Sequence, residues 1–144
     1  MRGEALGAVL DQLARLRIEV FRAFPYLYDG DMEYERRYLG RFASSPRAFL
    51  AAAFDGPRLV GAATASPMED HEDDFSNPLA TAGIAPETVW YCAESVLLPE
   101  YRGRGLGHRF FDLREAEGRA LGGACAAFCA VVRPADHPAR PPDY

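Results

Sequence analysis

The chain has 144 residues, of which 49% are hydrophobic and 26% charged, and this composition fits one globular domain. Its net charge of −5 argues against a nucleic-acid partner, and no apolar run reaches the roughly 20 residues of a membrane span. All 16 basic residues are arginine, so neither a Schiff-base lysine nor a P-loop lysine is available. The three cysteines form no CxxC motif; we therefore expect free thiols, a cytoplasmic location and no metal site.

The N-terminal half predicts two helices and then two strands, over residues 5–24, 32–43, 47–54 and 58–66. The first helix ends at Pro25, and Asp31 is a candidate N-cap for the second. The turn signal Asp55-Gly56 joins the two strands as a hairpin.

The C-terminal half predicts a strand, a helix and a strand, over residues 88–98, 107–121 and 124–132, followed by a Pro-rich tail. The first of these strands is apolar except at Glu94, which indicates burial on both faces. A strand–helix–strand unit places its two strands parallel with a right-handed crossover. We therefore predict one α/β domain, a mixed sheet with helices on its faces.

The loop over residues 99–107, Pro-Glu-Tyr-Arg-Gly-Arg-Gly-Leu-Gly, carries the most specific signal. Glycine accepts positive φ and lets a ligand approach the backbone. The amides of such a turn and of a helix N-terminus bind anions, and arginine adds forked phosphate contacts. The loop therefore predicts a phosphate or pyrophosphate site. The dinucleotide fingerprint GxGxxG does not fit, because His108 or Phe110 would stand at the third glycine.

The spacing Arg-x-x-Gly-x-Gly over residues 102–107, after a buried strand and before a helix, resembles the acetyl-CoA-binding motif of the GNAT-type N-acetyltransferase superfamily. The close match covers residues 94–121, and the element order over 5–132 fits more loosely. The resemblance implies a GNAT-like acyl-CoA N-acyltransferase fold. It also implies transfer of the acetyl group of acetyl-CoA to a primary amine of a small molecule or peptide, by direct attack in a ternary complex.

The same resemblance assigns roles to individual positions. The loop amides would hold the CoA pyrophosphate, and the strand end before them would pair with the pantetheine. The implied cofactor-binding residues are Ser95, Val96, Leu97, Leu98, Arg102, Gly103, Arg104, Gly105, Leu106 and Gly107. An amide near Val96 is the candidate donor to the thioester oxygen. The strand is expected to bulge and to diverge from the strand over 124–132, whose segment around residues 129–131 would form the other wall of the cleft.

Glu94 is the candidate catalytic residue. An alkylamine with a pKa near ~10 must lose a proton before it attacks, and a carboxylate in a partly dry cleft can accept that proton. A carboxylate is rarely buried without a partner or a task. The alternative is a structural glutamate paired with an arginine such as Arg133.

The sequence departs from the family pattern at both ends. A first strand and the C-terminal strands are not evident, so we expect a domain that lacks them. Either the domain is incomplete at its C-terminus, or its Pro-rich tail is covered by something else, such as a partner subunit. Exposed edges left by the missing strands favour a homodimer. No tyrosine matches the family's general acid. A non-catalytic CoA-binding sensor or assembly module therefore stays an alternative, as does a binder of another phosphate ligand.

Several other groups have simpler interpretations. The acidic run over 69–74 is interpreted as a solvated loop, and the tyrosines and aspartates of residues 26–31 either contact substrate or form a turn and a cap. Cys125 and Cys129, four apart on a predicted strand, are interpreted as small buried side chains, and Phe111 as part of the core.

Overall fold

The computed structural model describes residues 1–71 and 73–142. Within these ranges the chain forms five α-helices and four β-strands. In chain order they are α1 (Gly3–Gly7), α2 (Leu10–Phe21), α3 (Met32–Ser44), β1 (Phe49–Asp55), β2 (Arg58–Pro67), α4 (Asp73–Thr81), β3 (Val89–Leu97), α5 (Leu106–Ala120) and β4 (Cys125–Ala127). None of these helices is both long and apolar enough to cross a membrane.

The strands form one mixed sheet in the order β1-β2-β3-β4. The pairs β1–β2 and β2–β3 are antiparallel, and β3–β4 is parallel across the α5 connection. The predicted mixed sheet is therefore confirmed. Helices cover both faces: Leu13 of α2 and Leu39 of α3 pack with Leu50 on one side, whereas Phe110 of α5 packs against Ala63 on the other.

The strand predicted over 124–132 is wrong beyond Ala127. Parallel pairing ends where Tyr91 faces Ala127, because β3 and β4 diverge there and leave the rest of the apolar run without a ladder. Phe128 and Val132 are accordingly 65% and 90% exposed. The described residues after Ala127 form no further strand.

The elements before β3 differ from the prediction at two places. The helix predicted over 5–24 is divided into α1 and α2 because the chain turns after Gly7, a poor helix former, and the turn buries both Leu6 and Val9. The segment between β2 and β3, for which the sequence predicts no helix or strand, contains α4, whose periodicity is obscured by polar residues and by Pro78. No strand precedes α1 in the described residues; instead, the backbone of Met1 forms two hydrogen bonds with Leu50 of β1, at 2.6 and 3.0 Å.

Candidate active site

Beyond Tyr91 no strand of the described chain pairs with β3 on the β4 side, so the second half of β3 has an open edge. Only Val89, Trp90 and Tyr91 pair with β4, whereas β3 stays paired with β2 as far as Leu97. On the β2 side the register shifts by one residue between Ala63 and Ala65, which is a β-bulge. The extra residue falls at Ala93–Glu94, so the expected bulge is present and it contains the candidate catalytic residue.

After the bulge, the backbone N–H and C=O groups of successive residues point alternately toward β2 and toward the open edge of β3. The amide of Leu98 donates to the carbonyl of Val60 at 3.0 Å, and hydrogen-bonded and non-bonded pairs alternate along an antiparallel ladder. This alternation turns the amide of Val96 toward β2. It turns the N–H and C=O groups of Ser95 and Leu97 toward the open side, where a ligand backbone can pair.

The glycine-rich loop lies at the end of this edge, and its amides are unpaired. Gly103 and Gly105 have φ values of 73° and 77°, a left-handed conformation that favours glycine. The first hydrogen bond of α5 runs from the amide of Arg109 to the carbonyl of Gly105, at 3.1 Å. Across the described ranges, no protein acceptor is found for the amides of residues 103–108. A helix N-terminus with six free amides is suited to an anion.

The two loop arginines are exposed, and both are bound to nearby carbonyls. Arg102 Nε donates to the carbonyl of Leu97 at 3.3 Å, and Arg104 Nη2 donates to the carbonyl of Glu100 at 2.9 Å. Arg102 does cover one of the acceptors on the open edge of β3, so a ligand that pairs with the Leu97 carbonyl must displace it.

A buried arginine supports the bulge from the opposite face of the sheet. Arg114 of α5 donates through Nη1 to the carbonyls of Thr64 and Glu94, at 3.4 and 3.3 Å, and through Nε to that of Phe110. Burial lowers the pKa of Arg114. Its guanidinium supplies donors where the bulge interrupts the ladder.

The Glu94 side chain is 10% exposed and is held by two helices on the α2–α3 face of the sheet. Arg17 Nη1 of α2 lies 2.5 Å from Glu94 Oε1, an ion pair without the alignment of a hydrogen bond. The Tyr38 hydroxyl of α3 donates to Glu94 Oε2 at 3.3 Å. Arg133, the partner considered from the sequence, is not used, because it donates to the carbonyls of the loop between α2 and α3.

Arg17 joins Glu94 to a second buried carboxylate. Its Nε donates to Glu35 Oε2 at 2.6 Å, and its guanidinium lies 4.6 Å from the centre of the Tyr38 ring. Burial by itself lowers the pKa of Arg17, but Glu94 and Glu35 together raise it. Burial, and next the Glu94 charge, raise the pKa of Tyr38. Burial and the Glu35 carboxylate raise the pKa of Tyr28 to about 12.

A hydrogen-bonded Ser–His pair lies near the same site. Ser66 Oγ and His71 Nε2 are 2.7 Å apart, and the imidazole lies edge-on to Tyr91 with ring centres 4.7 Å apart. Burial lowers the pKa of His71, whereas the charges of Asp70 and Glu94 oppose that shift. From the sequence, His71 is seen only as one residue of the acidic run over 69–74.

Other predicted groups had mixed outcomes. Of the acidic run, Glu69 and Asp70 are exposed and bind Arg47; Glu72 and the side chains of residues 73–74 lie outside the described residues. Cys125 and Cys129 are exposed, so their predicted burial is wrong, because β4 ends at Ala127. Phe111, predicted in the core, is 39% exposed. No cluster suited to a metal ion is found where the structure describes the chain.

Three residues that build the site, Arg17, Glu35 and Arg114, were missed from the sequence. Arg17 follows Leu13 by four positions and Glu35 precedes Leu39 by four, so both occupy apolar stripes of their helices. A charge in a buried stripe needs a partner. Opposite charges in the apolar stripes of two neighbouring helices therefore indicate a buried ion pair between those helices.

A family model described as the acetyltransferase (GNAT) family matches residues 11–141. The fold is similar to that of the aminoglycoside N-acetyltransferase AAC(6')-Iy in complex with CoA, with a TM-score of 0.64 and 16% identity over 91% of this chain and 74% of that chain. It is also similar to the aminoglycoside 6'-N-acetyltransferase AAC(6')-IG from Acinetobacter haemolyticus, with a TM-score of 0.65 and 14% identity over 87% of this chain and 75% of that chain.

A third similar structure is the ribosomal-protein-alanine N-acetyltransferase from Brucella melitensis biovar Abortus 2308, with a TM-score of 0.57 and 14% identity over 90% of this chain and 78% of that chain. At these identities the likeness shows the fold. No curated protein matches the sequence.

Proposed function

Because the chain belongs to the GNAT acetyltransferase family, whose members transfer the acetyl group of acetyl-CoA to an amine, we propose that it acetylates a primary amine of a small molecule or peptide by direct attack in a ternary complex. One observation carries the proposal: the unpaired amides of residues 103–108 continue into the open edge of β3, which leads back to Glu94.

The residues present fit acetyl-CoA, the acyl donor of this reaction. The amides of Gly103, Arg104, Gly105, Leu106 and Gly107 suit the pyrophosphate, because no protein acceptor in the described ranges competes for them. Arg102 and Arg104 lie alongside and are exposed, so their guanidinium groups have room to reach phosphate oxygens.

The open edge of β3 suits the pantetheine arm. We assign strand addition to the backbone groups of Ser95 and Leu97, while Val96 and Leu98 pair with β2 and hold that edge in place. The Ser95 amide, directly after the bulge, is then the donor that we assign to the negative charge on the thioester oxygen. It replaces the Val96 amide expected from the sequence, because that amide is turned toward β2.

Glu94 is the residue to which we assign proton acceptance. The acceptor enters as an ammonium ion and gives one proton to the Glu94 carboxylate, directly or through a water, and the neutral amine then attacks the thioester carbon. A C–N bond forms, the C–S bond breaks and CoA leaves as the thiolate, which takes up the second proton released from the nitrogen. The contacts with Arg17 and Tyr38 hold the Glu94 carboxylate in one position, and a fixed position of a reacting group increases the reaction rate. The solved relatives act on aminoglycosides or on ribosomal-protein alanine, and both classes contain an amine.

The protein's setting is part of the proposal. All three cysteines are free, which supports a reducing, cytoplasmic compartment.

A homodimer is supported by the unpaired outer edge of β4 and by two exposed apolar side chains that follow it in the chain, Phe128 and Val132. Light scattering after gel filtration tests this oligomeric state.

The experiment that tests the function is a mass-spectrometric screen of amines incubated with acetyl-CoA, alongside thermal unfolding with CoA. We expect CoA to raise Tm and at least one amine to gain an acetyl group only with the protein present. Stabilisation by a nucleotide but not by CoA would contradict the proposal.

A non-catalytic CoA sensor is the second candidate. The ion pair of Glu94 with Arg17 is the observation that favours it, because a buried glutamate with a purely structural role also needs such a partner. The Glu94→Gln variant separates the two. If the protein is an enzyme, the variant loses turnover and keeps its CoA affinity. If it is a sensor, wild type and variant bind CoA equally well and neither transfers an acetyl group.

A further inference from the structure

We propose, on the basis of the function above, that Arg17 and Glu35 are positioning residues that together set the charge of Glu94. Arg17 bridges the two carboxylates, at 2.6 Å from Glu35 and 2.5 Å from Glu94. Because Arg17 is paired with both carboxylates, it does not neutralise Glu94 alone. Negative charge therefore remains at Glu94 to attract the acceptor ammonium.

The charges of the group do not cancel. One guanidinium faces two carboxylates, so the formal charge of the triad is −1. The side chain of Glu35 is 0% exposed, and those of Arg17 and Glu94 are 8% and 10% exposed. Glu94 is the most exposed of the three and lies in the bulge, directly before the open edge of β3, so it is the member at which an incoming cation would meet the surplus charge.

The arrangement is not explained by stability alone. Buried ion pairs contribute little net stability, because desolvation of the charges offsets their attraction. The same helices are already joined on the surface by Arg36 of α3 and Asp11 of α2, through two hydrogen bonds of 2.9 and 3.0 Å. The buried triad adds what that surface pair lacks, which is a contact with the bulge of β3.

Other groups around Glu94 set the background for a pH test. The Tyr38 hydroxyl faces it from α3, Arg114 of α5 binds its carbonyl from behind, and the charge of Glu94 reaches both His71 and Tyr91. Only His71 among these is an ordinary titrating group near neutral pH. The His71→Asn variant, measured in parallel, identifies any part of the profile that belongs to the imidazole.

The test is the pH dependence of kcat/KM in two variants with opposite expected shifts. In Glu35→Gln, Arg17 is left with Glu94 as its one carboxylate partner, so we expect the acidic limb of the profile to move to lower pH. In Arg17→Met, two carboxylates remain without their shared cation, so we expect the limb to move to higher pH. Acetyl-CoA affinity, measured by calorimetry, stays within about twofold of wild type, since the triad lies outside the CoA loop.

Matched controls come from the surface pair between the same helices. Arg36→Met and Asp11→Asn make the same changes in net charge at exposed positions, and we expect neither to move the limb. If Arg17→Met fails to fold, Arg17→Lys replaces it: lysine keeps the charge without the fork, and the limb moves up by a smaller amount.

The outcomes separate the two proposals. A wild-type protein without turnover on any amine overturns the proposed function. A wild-type protein with turnover whose acidic limb stays in place in both variants, or moves in the same direction in both, overturns the positioning role alone and leaves the triad as a structural contact.

Discussion

Arg114 Nη1 lies 3.3 Å from the carbonyl oxygen of Glu94, so the residue whose side chain contacts α2 and α3 on one side of the sheet is held by α5 from the other. The same guanidinium group also binds the Thr64 carbonyl. A bulge leaves backbone acceptors without ladder partners, and here a buried side chain supplies the donors. The position of Glu94 therefore depends on elements from both faces of the sheet.

Replacing Arg114 should loosen the bulge. Arg114→Met keeps an apolar stem of similar length but leaves these carbonyls short of donors, and we expect the free energy of unfolding to fall by about 1–3 kcal/mol. We also expect kcat/KM to fall at temperatures where the variant is fully folded. Urea unfolding and steady-state kinetics measure the two effects. Arg109→Met, at an exposed position of the same helix, should change neither, and an Arg114→Met variant that resembles it would contradict the role.

A methyl group at Gly105 should weaken CoA binding. The φ of 77° costs an alanine about 1–2 kcal/mol, and relief of that strain would turn the loop amides away from the anion. We expect the Kd for CoA to rise about tenfold, as measured by calorimetry. Gly40→Ala, in the exposed face of α3 with open space around the added carbon, is the control and should bind CoA as wild type does.

Replacement of Gly118 by alanine should destabilise the fold, although alanine has a higher helix propensity than glycine. Its Cβ would lie 2.6 Å from Trp90 Cγ, so α5 or β3 must shift. We expect the overpacking, about 1–3 kcal/mol, to exceed the gain in helix propensity of about 1 kcal/mol. Chemical denaturation measures the difference. In Gly40→Ala the same propensity gain appears without a clash, and equal stabilities of the two variants would refute the contact.

The stability of the protein should depend on pH through His71. Because burial lowers its pKa, the folded state binds this proton less readily than the unfolded state. The contribution is fully present above the ordinary value of about 6.5 and is lost as pH falls through the lowered pKa. We expect Tm to fall between about pH 7 and pH 5, and to fall less steeply in His71→Asn. The exposed His108→Asn should keep the wild-type slope; an unchanged slope in His71→Asn would exclude this source.

The anion loop could be predicted because its signal is local. Positive φ at Gly103 and Gly105 and the start of α5 depend on neighbours in the sequence, and the arginine spacing fixes the family resemblance. The bulge was expected from that resemblance. Its position at Glu94 depends on pairing with β2, which lies about 30 residues away in the chain.

The rest of the site depends on contacts between distant segments. Glu94 meets Arg17 across 77 positions of sequence, and neither residue type specifies the other. Arg133 is closer in sequence, but the divergence of β4 carries it to the loop between α2 and α3. The length of β4 was overestimated for the same reason, since an apolar run predicts a strand only where a partner strand stays alongside.

The most direct measurement of the central claim is hydrogen exchange of the backbone amides of residues 103–108, with and without CoA. CoA and pantetheine, which lacks the pyrophosphate, are compared at concentrations that give equal occupancy. We expect CoA to slow exchange at these amides, whereas pantetheine should slow it only along β3 near Ser95 and Leu97. Bound CoA that leaves the loop amides exchanging as in the free protein would contradict the account.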